Sequence, residues 1–471
     1  MRKILALGVA GAFVAAAPAQ AQAQSGMTPA ERAEFDALRQ RLAELEAQVA
    51  ARAEADARQQ QQAAQAAASA PVSAPASSGG GGGGGDHHLE LYGFAQVDLI
   101  QDFDRVNPNW DATLRPSRIP TVDGLYGSDG QFIASARQSR LGVKADGTIA
   151  GKPYEAKFEF DLYGVGVDEG QTTFRLRHAY AKWGPILAGQ TNTLFMDGDI
   201  FPNVVDYWGP AGMVFIRNPQ IAVTLVNSGG WVAKIGLEQP NNDIDPGSIR
   251  LVSPEVAENL RGTEELPDLT GQVRYGGDWG HVQLAGVLRK VGYDTVGTPD
   301  NEPSGSEMGW GLNGTTVLKF SPVTFRGGVV YGQGIASYMN DGGMDLAPSA
   351  QLGPVPPIFP PPAVNGTLLD AKAVELLGVT GYVEMQWTEQ LSSALGYSFT
   401  EVDNTNFQDA TAFHKGEYAS VNLLWQPESR LLAGIELLWG QRTDNDGAQG
   451  DDLRLQTSFK ASFSSKDLWG N

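Results

Sequence analysis

The sequence predicts an all-β protein, a transmembrane antiparallel β-barrel of about 16 strands preceded by a short periplasmic α-helical coiled coil. The last strand-like segment, Leu453–Phe463, alternates apolar and polar residues throughout, and similar segments recur from Leu89 onwards. Because strand side chains point to opposite faces in turn, this alternation suits a barrel with lipid outside and water inside. The chain also begins like an exported protein, and its mean hydropathy of −0.23 is too polar for a helical membrane protein.

The first residues have the pattern of a secretory signal peptide. Arg2 and Lys3 precede the apolar run Ile4–Ala16, and small residues with Ala-x-Ala spacing follow. This pattern predicts a signal peptide over residues 1–23, with cleavage after Ala21 or Ala23. The apolar run is too short for a membrane-spanning helix, although an uncleaved anchor is the alternative.

Residues 27–58 are predicted to form a periplasmic coiled-coil helix. Thr28 and Glu31 match a capping box, and Pro29 fits the first helical turn. Because the heptad pattern is short, the helix would gain stability by self-association, and the alternative is a single amphipathic helix that lies against another surface. The predicted trimerisation positions, at a/d spacing, are Phe35, Leu38, Leu42, Leu45 and Val49.

Residues 59–86 are predicted to form a flexible low-complexity linker. The segment contains a glutamine and alanine run, an Ala/Pro/Ser run and the unbroken glycines 79–85. Such a composition cannot bury enough apolar surface to fold. His87 and His88 follow the linker, and we interpret them as solvated residues because a stable metal site needs three or four ligands.

Residues 87–463 are predicted to form the barrel. Its segments have the length that a tilted strand needs to cross a bilayer, and an even strand number is typical of single-chain bacterial barrels. Long outer loops and short periplasmic turns are expected to alternate. The sixteen predicted strands are Leu89–Leu99, Ser139–Ala145, Ala156–Leu162, Phe174–Lys182, Pro185–Thr191, Ile221–Val226, Trp231–Leu237, Leu269–Tyr275, Val282–Leu288, Met308–Phe320, Val323–Tyr331, Val379–Trp387, Leu391–Phe399, Ala419–Trp425, Leu431–Trp439 and Leu453–Phe463.

Residues 464–471 are predicted to form a C-terminal tail. Barrels of this kind usually end on an aromatic residue that the insertion machinery recognises, whereas here further residues follow Phe463. The alternative is a last strand that runs to Trp469, but Ser464–Asp467 breaks the alternation. Tryptophans near strand ends fit an interfacial girdle, with ordinary packing as the alternative. These are Trp183, Trp387, Trp425 and Trp439.

The charge distribution indicates the function. The formal net charge of −20 argues against nucleic-acid binding, because phosphate backbones need basic surfaces. Strand parity nevertheless places more cations than acids on the inward face. Such an excess would attract anions, because a narrow low-dielectric passage focuses the field. The candidate pore-lining cations from this parity include Arg140, Lys144, Arg175, Arg177, Arg274, Arg289, Arg326 and Lys460.

Ion pairing between neighbouring strands is the alternative role for some of these charges. The acids Glu159 and Asp161 are expected to lie beside Arg175 and Arg177, and opposite charges on paired strands are a common device in sheets. A β-bulge would also invert the parity of every later residue in its strand.

A second candidate site is the segment of about residues 192–218. Its aromatic, acidic, glycine and proline residues are too apolar for a freely solvated loop, so we expect it to fold inward and narrow the pore. Asp197 and Asp199 would then give an acidic edge opposite the basic wall, with Phe201 and Trp208 as apolar members. The alternative is an outer loop that packs on a neighbouring subunit.

Several consecutive motifs resemble those of the DcaP-like porins, most densely between Leu89 and Gln220. They are Arg137–Lys144 (RQSRLGVK), Phe158–Asp168 (FEFDLYGVGVD), Thr173–Tyr180 (TFRLRHAY), Ala188–Asn192 (AGQTN) and Asp206–Gly212 (DYWGPAG).

This resemblance implies a homotrimer of sixteen-stranded barrels, an N-terminal periplasmic coiled coil and the uptake of small anions such as dicarboxylates. Carried over to this chain, the basic wall corresponds to Arg140, Arg175 and Arg177, with Arg137 and Arg217 added by proximity.

The sequence therefore predicts an outer-membrane porin that takes up small organic acids passively through a basic-lined channel. We expect no catalytic residues, cofactor or metal, since five histidines and no cysteine offer few candidates. The expected partners are small anionic solutes, identical subunits, outer-membrane lipid and lipopolysaccharide, and the barrel-insertion machinery. The alternative is a structural or adhesive barrel that acts through its outer loops.

Overall fold

The computed structural model describes residues 87–349 and 370–469. The predicted signal peptide, coiled-coil helix and linker therefore lie outside the described residues, as do residues 350–369 and 470–471. Among the residues that the structure describes, no helix is long and apolar enough to cross a membrane.

The described residues form one large antiparallel sheet and a small two-stranded sheet. In chain order the strands are β1 (His88–Asp102), β2 (Gln131–Ser135), β3 (Arg140–Ile149), β4 (Lys152–Tyr163), β5 (Thr172–Trp183), β6 (Ile186–Asn192), β7 (Arg217–Ser228), β8 (Trp231–Glu238), β9 (Leu260–Thr263), β10 (Asp268–Gly277), β11 (Gly280–Thr295), β12 (Gly305–Phe320), β13 (Val323–Gln333), β14 (Leu346–Pro348), β15 (Ala371–Ala373), β16 (Glu375–Gln386), β17 (Leu391–Asp403), β18 (Phe413–Glu428), β19 (Leu431–Asp444) and β20 (Gln449–Ser464).

The large sheet closes into a barrel, because β20 pairs with β1 from Tyr92↔Ser464 to Asp102↔Arg454. The short strands β2 and β9 pair with the ends of β1 and β11, and β14 pairs with β15 in the separate two-stranded sheet. The remaining sixteen strands form the wall, and each of the sixteen predicted segments overlaps a different one of them. The prediction of a sixteen-stranded barrel is confirmed.

Alternation along each strand separates the two faces of the wall. In β20, Leu455 and Phe459 are 36% and 50% exposed on the outer face. Their neighbours Arg454, Gln456 and Ser458 face inward and are buried. Because its side chains alternate, one strand can present apolar residues to lipid and polar residues to the lumen. A chain of polar average composition can therefore form this fold.

The connections differ in length between the two rims. Two-residue turns join β3 to β4 and β12 to β13, whereas longer loops join strands at the opposite rim. Exposed tryptophans cluster beside the short turns, where a membrane interface would favour amphipathic rings. They are Trp183, Trp231, Trp279, Trp387 and Trp425, whereas Trp439 lies in the half of β19 away from its short turn.

Short helices lie in the connections and at the chain end. The α-helices are Ile249–Val252, Pro254–Asn259 and Lys466–Trp469. The 3-10 helices are Pro108–Trp110, Pro116–Arg118, Gly166–Asp168, Gly198–Ile200, Pro299–Asn301 and Ala336–Tyr338. The last strand therefore ends at Ser464, and an ion pair between Asp467 and Arg430 joins the final helix to the turn before β19.

Candidate functional site

The connection between β6 and β7, residues 193–216, packs inside the barrel, and we call it the inward loop. Glu238 of β8 fixes its beginning, because its carboxylate accepts hydrogen bonds from the Thr193 hydroxyl and the Leu194 amide, both at 2.9 Å. Phe195 is fully buried and packs edge-on against Tyr338. Apolar packing and a carboxylate thus hold the first part of this loop against the wall.

Two further wall carboxylates bind the middle of the inward loop. The amide of Asn203 donates to Glu384 at 2.8 Å. The amides of Val205 and Asp206 donate to the two oxygens of Glu436, both at 3.2 Å. Loop amides away from water need acceptors, and these acids supply them. The alternation of β16 and β19 places both acids on the inward face, but nothing in the sequence indicates this role.

Asp206 itself holds the loop against the connection after β1. Its carboxylate accepts hydrogen bonds from the Thr113 hydroxyl at 2.8 Å, the Leu114 amide at 3.1 Å and the Gly209 amide at 3.0 Å. Burial raises the pKa of Asp206, and the bonds from Gly209 and Thr113 oppose that shift. Hydrogen bonds to the barrel wall and to the connection after β1 therefore both hold the inward loop in place.

The predicted acidic edge is only partly present. Asp197 is 3% exposed and binds His281 and the Thr315 hydroxyl, both at 2.7 Å. Asp199 is exposed and forms an ion pair with Arg274. Asp197 thus faces the wall instead of the lumen, because three wall residues satisfy its carboxylate.

The same two acids form part of an arrangement that resembles a metal site, but the guanidinium of Arg274 would compete with a metal ion there. Asp197, Asp199 and His281 place one ligand atom each within 4.8 Å of one another. Arg274 donates to Asp199 and, at 2.8 Å, to His281 Nδ1. A metal ion would have to displace this guanidinium, so the arrangement serves as an anchor for the loop.

Phe201 and Trp208 of the inward loop have different surroundings. Phe201 packs against Phe215 and lines a cavity of about 350 Å³. Trp208 donates to the Asn340 carbonyl at 2.8 Å. Together with Trp110 it encloses the Arg115 guanidinium, which lies 4.1 and 4.2 Å from the two rings.

Arg175 and Arg177 face the lumen but are paired with acids. Arg175 forms two hydrogen bonds with Asp161, at 3.0 and 2.6 Å. Arg177 binds Glu159 and Asp161, both at 2.8 Å. Tyr207 of the inward loop adds its hydroxyl to this group. The pairing alternative therefore applies to these two arginines, whose charges are largely balanced.

Most of the other candidate cations also have partners. Arg326 binds Glu384 at 2.8 Å, and Lys144 lies 3.3 Å from Glu155. Arg289 has no exposed side-chain surface, because it lies between Asp268 and Asp345 at 3.2 and 3.4 Å. The expectation that Arg289 lines an open passage does not agree with this complete burial.

Arg137 is also buried, but its surroundings differ from those of Arg289. Its guanidinium lies 4.4 Å from the Tyr163 ring and donates to the Asn109 carbonyl at 3.4 Å. The resemblance added Arg137 to the basic wall by proximity, whereas the structure buries its guanidinium in an aromatic and backbone environment.

Three cations that line the 350 Å³ cavity, Arg140, Arg217 and Lys460, form no ion pair with any acid in the part of the chain that the structure describes. Arg140 and Lys460 lie 5.3 and 5.4 Å from the Phe94 ring, and Arg217 lies 4.9 Å from Phe215. Rings stabilise cations without cancelling their charge, so the cavity remains electropositive.

Strand register explains why Arg140 lacks a carboxylate of its own. Arg140 lies opposite Asp161 in the β3–β4 pairing, but the oxygens of Asp161 accept from Arg175 and Arg177. Lys157 also shares Glu159 with Arg177, at 3.1 Å. This part of the wall therefore has four cations for two carboxylates, a local charge of about +2.

The sequence and the fold are similar to those of known outer-membrane proteins. Residues 24–322 match the family model described as DcaP outer membrane protein. The fold is similar to the outer membrane channel DcaP of Acinetobacter baumannii, with a TM-score of 0.66 and 21% identity over 80% of this chain and 97% of that one. It is also similar to an anion-selective porin from Comamonas acidovorans, with a TM-score of 0.51 and 12% identity over 80% of this chain and all of that one. None of the curated proteins matches the sequence.

Proposed function

This chain belongs to the DcaP outer membrane protein family, and from that premise we propose that it is an anion-preferring porin for small organic acids such as dicarboxylates. The barrel supplies the passage across the outer membrane. The inward loop narrows the passage, and the basic wall selects the solute.

One observation carries this proposal: Arg140, Arg217 and Lys460 surround one cavity beside the inward loop without acids of their own. A fixed positive charge in a narrow, low-dielectric passage raises the local concentration of anions and lowers that of cations. A dicarboxylate suits the site because separated cations can bind its two ends at the same time. Arginine also matches carboxylate geometry with two parallel donors.

Part of the cavity lining is apolar. Phe201, Val204 and Val205 of the inward loop lie there with Leu424 and Leu432 of the barrel. An organic acid presents carboxylates to one side and carbon atoms to the other, so both surfaces favour it over a small inorganic anion.

Assembly is part of the proposal. We propose that residues 27–58 form a periplasmic coiled coil that strengthens a homotrimer and that residues 59–86 link it to the barrel, after removal of residues 1–23. Lipid and lipopolysaccharide would surround the barrel, which the insertion machinery places in the outer membrane.

Planar-bilayer recording of the purified protein tests the function. Across a KCl gradient, we expect a reversal potential with the sign of anion selectivity, and succinate should reduce the chloride current. A structural or adhesive barrel would give no such current, and a reversal potential with the sign of cation selectivity would contradict the assigned role of the basic wall.

A further inference from the structure

A second cavity lies beside the beginning of the inward loop. It has a volume of about 540 Å³ and is bounded by β5, β6, β7, β8, β10 and β11. Its lining shares Asn192, Met196 and Gly198 with the lining of the electropositive 350 Å³ cavity. The two cavities therefore adjoin each other, but their walls differ in chemistry.

The wall of the second cavity is rich in neutral hydrogen-bonding groups. Thr224, Lys234 and Gln272 lie opposite one another on three adjacent strands. Gln220 and Gln283 lie on β7 and β11 and line the same cavity. Carboxamides offer both donors and acceptors, whereas the arginines of the other cavity offer donors alone.

Several of these groups lack partners within the protein. Among residues 87–349 and 370–469, Lys234 forms no ion pair and the Gln272 side chain forms no hydrogen bond. Gln220 is 5% exposed and its Oε1 atom has no hydrogen-bond partner, although its nitrogen donates to the carbonyls of Thr191 and Asn192 in β6. Buried polar atoms are normally paired, so this wall offers unused hydrogen bonds to a solute.

The acids of the cavity are already occupied. Asp197 lies 3.8 Å from Arg274 and binds His281, and Asp199 also pairs with Arg274. A zwitterionic amino acid would need a free carboxylate in addition to Lys234. One free cation among neutral carboxamides instead matches a solute with one carboxylate and several hydroxyl groups.

We propose that this cavity is a second solute site that binds hydroxylated monocarboxylates, the class of the sugar acids. Lys234 pairs with the carboxylate, and Gln220 and Gln272 exchange hydrogen bonds with the hydroxyl groups. The inference rests on the proposed channel function. This second site would lie beside the basic cavity and would prefer a different class of solute.

Block of chloride current by gluconate tests this site. In Gln272→Leu we expect the apparent affinity for gluconate to fall about fivefold, the order of one lost hydrogen bond. In Lys234→Gln it should fall about tenfold, since a charge-assisted bond is lost. Gln333→Leu, on β13 with its amide bound to the Met308 carbonyl, is the matched control and should leave the affinity unchanged.

Two readouts separate this inference from the proposed function. If chloride and succinate currents are normal but both variants bind gluconate like the parent, the second site is wrong and the porin function stands. If the parent carries no anion current, the porin function itself fails. Liposome swelling compares the parent with Gln272→Leu and Lys234→Gln. If these variants lost serine entry but kept gluconate entry, the cavity would bind zwitterions and the proposal would be overturned.

Discussion

Removing two of the three unpaired cations of the 350 Å³ cavity should reduce the anion preference of the channel strongly. The change is Arg140→Gln together with Arg217→Gln, which leaves Lys460 as the unpaired cation of the 350 Å³ cavity. At about 6 Å and the dielectric constant of water, one cation stabilises a passing anion by about 0.7 kcal/mol. Two cations contribute about 1.4 kcal/mol, so the anion should partition about tenfold less favourably into the cavity.

The assay is the reversal potential across a KCl gradient, followed by block with succinate. The matched control is Lys290→Gln with Arg261→Gln, which removes the same charge from an outward-facing pair with Glu265 and from the exposed side chain of Arg261 on β9. We expect the control to keep the parental potential. If the two double variants shifted the potential equally, overall charge and not the cavity would determine selectivity, and the reasoning would be refuted.

Three other perturbations give distinct results. Arg175→Gln with Arg177→Gln should shift the reversal potential less than the variant above but lower the unfolding temperature more, because it leaves buried carboxylates unpaired; a large shift with unchanged thermal stability would contradict their pairing role. Glu436→Gln should increase current noise, because an amide side chain has one acceptor oxygen for the two loop amides that bind there; equally quiet single-channel traces would argue against this anchor. Deleting residues 27–85 should leave the conductance of each barrel intact and weaken the trimer, and an unaltered oligomer on native gels would refute the link between the helix and assembly.

The strand pattern was predictable because alternation is a local property of the sequence. The residues of each segment were sufficient to predict it as a strand, and the wall contains one strand for each predicted segment. The β4–β5 pairing shows the limit of that method. Its register shift leaves Arg177 as an extra residue, so Arg177 and the adjacent His178 both face inward. A bulge of this kind has no clear signal in the alternation.

The sequence determined the barrel and its number of strands, because alternation depends on residues close together in the chain, and the same alternation indicated candidate cations for the inner face. It could not determine which of those cations lack an acidic partner and can therefore attract a solute. Arg140 and Arg175 both alternate inward, yet Asp161 binds Arg175 and leaves its cross-strand neighbour Arg140 without a partner. That difference arises from the lateral register of three strands and from the inward loop that packs on them, and electrostatic pairing depends on such distances in space.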